Sequence, residues 1–84
     1  MKDTEEIEKQ HLVEALNYVN SEMNIDAIKL LKKFTEDYKE SKYIDDVYYD
    51  IALCYFKIKD FIKSIDYFDF VIKNYPDSEI DSFS

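Results

Sequence analysis

Two stretches of this 84-residue chain read alike at a single offset of 37 residues (64 − 27 = 37). Ser64-Ile65 falls on Ala27-Ile28, Phe68 on Leu31, Val71 on Phe34, Tyr75 on Tyr38 and Ser78 on Ser41. The same offset sets Ala52 on Ala15 and Tyr55 on Tyr18. A period near this length marks an array of stacked supersecondary units, because one unit cannot bury its apolar face alone. The register runs on past Pro76, where Ile80 falls on Tyr43 and Asp81 on Ile44.

The unit is helical. Glycine is absent and Pro76 is the one proline, so hairpin turns, phosphate-cradling loops and flexible linkers are hard to build. Apolar residues recur at three- and four-residue steps in four segments. The first starts at Asp3 or Thr4, where Asp3 with Glu6 resembles a capping box, and runs to about Asn20 on Ile7, Leu12, Ala15, Leu16, Tyr18 and Val19. The second, about 25–38, has Asn24 as its expected cap and carries Ala27, Ile28, Leu30, Leu31 and Phe34. Ser41 is the expected cap of the third, which runs to about Ile58 with Ile44, Tyr48, Ile51, Ala52 and Tyr55 on one face. Asp60 is the expected cap of the fourth, which holds Phe61, Ile65, Phe68, Val71 and Ile72 and stops near Tyr75, since the residue before a proline is pushed out of the α region. Asp77-Ser78-Glu79 reads as one more helix start. The expectation is one all-α domain over 1–84: a degenerate hairpin about 4–41, a well-formed one about 42–78, and a truncated helix start at 79–84.

Charge narrows the function. Nineteen acidic residues against eleven lysines leave a net charge of −8, and no arginine is present. That balance disfavours nucleic acid, and bidentate recognition of phosphate is unavailable. His11 is the single histidine, Cys54 the single cysteine, and no nucleophile, base or ligand spacing joins them, so neither catalysis, a metal nor a cofactor is expected. Cys54 reads as a structural thiol. No stretch reaches the ~18 apolar residues of a membrane span, so no direct insertion is expected. The start, MKDTEEIEKQ, has no apolar leader region. A complete chain of this kind belongs in the cytoplasm, and a segment of a periplasmic or envelope protein would look the same.

Tyr48, Ile51-Ala52, Tyr55, Ser64, Phe68 and Pro76, with Val71 near the helix end, resemble the signature of the tetratricopeptide repeat across residues 45–78. Ala52 and Ser64 are small where two helices cross closely. Residues 8–41 depart from the pattern at His11, Glu14 and Met23-Asn24. The period and the closing Asn74-Tyr75-Pro76-Asp77-Ser78 are similar to repeats of bacterial envelope proteins, such as outer-membrane assembly lipoproteins and the coordinator of the Tol-Pal system.

The resemblance implies two antiparallel helical hairpins in a short right-handed superhelix, with a protein or peptide held in the concave groove. It places Asp46, Tyr49, Asp50, Leu53, Phe56 and Lys57 on that face, with Lys9, Leu12, Val13, Leu16, Val19 and Asn20 at the matching positions of the first hairpin. Tyr49, Leu53 and Phe56 form a second apolar stripe beside the core stripe of the third helix. It serves either a basic or apolar peptide or partner helix, or a neighbouring repeat or second copy in a larger assembly. Asp46 and Asp50, one turn apart, suit a lysine or arginine of a partner, or are a solvated helix start. The lysine and asparagine clamp for acidic C-terminal tails is missing, since Val13 and Asp50 stand there. Tyr67 and Phe70 are expected to face away from Ile65, Phe68 and Ile72 and to form a stacking or oligomer surface.

Overall fold

The computed structural model describes residues 2–76, with side chains from Glu5 onward. It contains four helices: α1 (Lys2–Asn20), α2 (Asn24–Asp37), α3 (Ile44–Lys57) and α4 (Phe61–Asn74). No strand occurs among the described residues. The ends lie within a few residues of those expected, the usual uncertainty of helix termini. Asp3 as a cap and the helix start after Asp77 fall outside the described side chains and residues.

Each helix packs mainly on its neighbour in sequence, α1 on α2, α2 on α3 and α3 on α4, as stacked hairpins require. The core that joins the hairpins holds Leu12 and Ala15 of α1, Ala27, Ile28, Leu31 and Phe34 of α2, and Val47, Ile51, Cys54 and Tyr55 of α3. Val47 and Cys54, not assigned to the core from periodicity, are wholly buried in it.

The repeat is written in the backbone even where the residues differ. Glu22 and Lys59, 37 positions apart (59 − 22), both adopt positive φ, 60° and 69°. After α1, Glu22 N–H donates to Val19 O (3.0 Å) and Met23 N–H to Tyr18 O (2.9 Å). After α3, Lys59 N–H donates to Phe56 O (3.0 Å) and Asp60 N–H to Tyr55 O (2.9 Å). Each pair is a Schellman cap, which closes the helix end by satisfying its free carbonyls. The far ends match as well: Tyr38 and Tyr75 have φ/ψ of −129°/58° and −133°/59°.

The caps came out differently from one another. Asp60 caps α4 as expected, accepting from Lys63 N–H at 3.3 Å. Asn24 is instead the first residue of α2, behind Met23, and its Oδ1 is buried without a hydrogen-bond partner. Ser41 lies two residues ahead of the α3 cap residue, Tyr43: its Oγ accepts from Tyr43 N–H (3.1 Å) and donates to Glu8 Oε2 (2.7 Å). It ties the turn to α1 rather than capping α3.

Candidate protein-binding surfaces

The crossing of α3 and α4 sets every face of the second hairpin. Ala52 and Ser64 are 0% and 1% exposed, and Ser64 Oγ donates to Ala52 O at 2.9 Å. Only small side chains let two helices approach this closely. With Ser64 at the crossing, Val71 is buried beside it and Tyr67 and Tyr75 turn inward, while Ile65 and Ile72 swing out, 64% and 47% exposed.

That rotation corrects the expectation for Tyr67 and Phe70. Tyr67 is half-buried: its ring stacks on Tyr55 (5.5 Å between centroids) and Tyr48 (6.2 Å), and its phenol feels the charge of Lys32 on α2. Burial pushes that phenol above its ordinary pKa. Phe70 stays partly exposed but lies on Tyr48 at 4.6 Å and near Tyr75. Both belong to an aromatic cluster that closes the hairpin. Tyr55 and Phe68 serve different contacts: Tyr55 stacks on Tyr67, and Phe68 lies edge-on to Tyr49 at 5.4 Å.

The stripe Tyr49, Leu53, Phe56 divides. Tyr49 leans on Phe68 and Phe56 on Phe61 (5.4 Å), so both turn toward α4, although Phe56 remains 55% exposed. Leu53 is half-buried and, on the helical wheel, lies between them and Asp46 and Asp50. Leu16, its equivalent on α1, is also half-buried. Leu12 is 9% exposed and inside the core cluster, so it is a packing residue rather than a groove contact. It shares that cluster with residues of α2 and α3, whereas its equivalent, Tyr49, is half-buried and outside it.

The electrostatic centre of this face is Asp50. It is half-buried, and its pKa is pushed up to about 6, first by burial and then by Asp46, against a smaller opposing pull from Lys57. Burial, reinforced by Asp50, likewise pushes the Cys54 thiol up, away from the thiolate a nucleophile needs. Among the described residues no group of three or more His, Cys, Asp or Glu is placed to hold a metal ion, and no helix is long and apolar enough to cross a membrane.

Two hairpins capped alike, stacked through one core and leaving apolar and acidic side chains at the surface, define a helical-repeat module. Residues 46–78, which take in most of α3 and all of α4, match the family model of the tetratricopeptide repeat. Repeats of this family generally bind other proteins and are typically non-enzymatic. No curated protein and no solved structure matched the chain.

Proposed function

We propose that this protein is a non-enzymatic interaction module that holds a basic or apolar segment of a partner protein on the face formed by Asp46, Asp50 and Leu53 of α3 and Leu16 of α1. The observation that carries this reading is Asp50, a half-buried carboxylate with a second carboxylate, Asp46, one turn away and a pKa near 6. A lysine of a partner seated there would offset both burial and repulsion, and Leu53 and Leu16 would take its apolar neighbours.

The sign of the pH dependence follows. Asp50 titrates above the ordinary carboxyl value of 3.8, so the folded state favours its neutral form; that contribution is present below about pH 4 and lost as pH rises through about 6. Asp50→Asn therefore stabilises the fold at pH 7 by about 1 kcal/mol, after allowance for partial exposure, and the difference disappears toward pH 4.

Fluorescence anisotropy with a labelled peptide of leucines around a central lysine, against the same peptide with glutamate, tests the reading. The lysine peptide is expected to bind, more weakly at pH 5 than at pH 7.5 and more weakly to Asp50→Asn, although that variant is the more stable protein. Equal affinity for the two peptides, or no change on Asp50→Asn, sinks the assignment.

A further inference from the structure

Phe61, Ile65, Phe68 and Ile72 follow the i, i+4, i+7, i+11 pattern of one stripe along α4. Phe61, Ile65 and Ile72 are 49%, 64% and 47% exposed, and Ile62 (77%) and Phe56 (55%) widen the patch. Together these side chains leave roughly 600 Å² of apolar surface in water, at the upper end of what a monomer ordinarily shows.

The fold contains a second instance of the same face, already covered. At the same offset of 37 residues, the equivalents of Tyr49, Ile65, Phe68 and Ile72 are Leu12, Ile28, Leu31 and Thr35, with exposures of 9%, 6%, 0% and 9%. The helix packed on α2 is α3, whose buried residues include Ile44, Val47, Ile51 and Cys54, the last three in one core cluster with Leu12, Ile28 and Leu31. The α4 face is thus shaped to receive an apolar helix. The α1 helix of another copy is a poor match, because its positions equivalent to those four are Ile7, Gln10, Glu14 and Asn17, three of them polar and all exposed. Head-to-tail stacking of copies would bury those polar groups unpaired, at a cost of about 1–3 kcal/mol each.

We infer that the α4 stripe docks on the same stripe of a second copy of this chain, the two α4 helices lying antiparallel across a two-fold axis. Phe61 then faces Ile72 of the other copy, and Ile65 faces Phe68. No charge lies in the stripe, and Asp69 on its rim is already paired with Lys73 at 2.9 Å. The two faces together cover about 1,200 Å², the lower bound of specific, stable interfaces. Like surfaces meeting this way close into a dimer and leave no open end for a fibre. The inference is independent of the groove reading above.

Sedimentation of the 84-residue chain from about 1 to 500 µM tests it. A dimer is expected, tightened by added salt because each copy carries a net charge of −8; groove binding of a basic peptide has the opposite salt dependence. Ile65→Asp is expected to raise the dimer dissociation constant at least about tenfold with the helical circular dichroism unchanged. Mixed copies carrying Ile65→Cys and Phe68→Cys are expected to yield a disulfide-linked heterodimer on mild oxidation, whereas copies carrying Ile65→Cys and Val13→Cys yield none; buried Cys54 does not interfere. A monomer throughout the range, oligomers growing beyond two copies, or an unaffected Ile65→Asp dimer would overturn the inference.

Discussion

Glu22 and Lys59 hold the left-handed conformation that glycine adopts at no steric cost, in a chain without a single glycine. The conformation persists because the Schellman hydrogen bonds of both hairpin turns require it, and each such residue costs roughly 1 kcal/mol. Lys59→Gly keeps the Lys59 and Asp60 N–H bonds to Phe56 and Tyr55 while removing the Cβ clash. It is expected to raise stability by about 0.5–1 kcal/mol, a gain of several degrees in Tm for a domain of this size, as thermal unfolding by circular dichroism would record. Glu22→Gly should behave alike and the two should add, since they sit in separate turns. A loss of stability at either position would mean that the side chain is making contacts that outweigh the strain.

At the scale of the element, α4 carries two apolar stripes, and either satisfies a helical periodicity. Phe61, Ile65, Phe68 and Ile72 form one; Ser64, Tyr67, Val71 and Tyr75 form the other. The second turns inward because it contains Ser64, which allows the close approach to Ala52 that Ile65 would prevent. The consequence is a contrast between neighbours on one helix. Tyr67→Ala removes a ring stacked on Tyr55 and Tyr48 and is expected to cost roughly 2–4 kcal/mol, while Ile65→Ala changes stability by under about 1 kcal/mol in the monomer. Urea unfolding at concentrations low enough to keep the chain monomeric measures both. Equal or reversed costs would show that the other stripe faces α3.

For the whole molecule, the joint between hairpins is the part most readily monitored. Cys54 sits in the cluster shared by α1, α2 and α3, wholly buried, with its thiol pushed up by burial and by Asp50. Its modification by a thiol reagent is expected to follow global unfolding, with the same urea midpoint as the helical signal. Rapid labelling of the native protein would mean that the hairpins separate independently.

Much of this architecture was legible beforehand. The 37-residue register, the Ala52–Ser64 crossing, the Asp60 cap, the buried face of α2 and the structural thiol are all local consequences of spacing and residue size, which periodicity reports directly. The stacking surface expected at Tyr67 and Phe70, the groove role expected of Leu12 and the continuous stripe Tyr49-Leu53-Phe56 depended on something else. When nearly every face of a helix is apolar, spacing alone does not choose which face turns inward. The sequence by itself determined four helices, their repeat and the point of closest approach. Only the tertiary structure decided the rotation of α4 about that point, and with it which aromatics close the hairpin and which remain in water, because that choice rests on the volume available between helices.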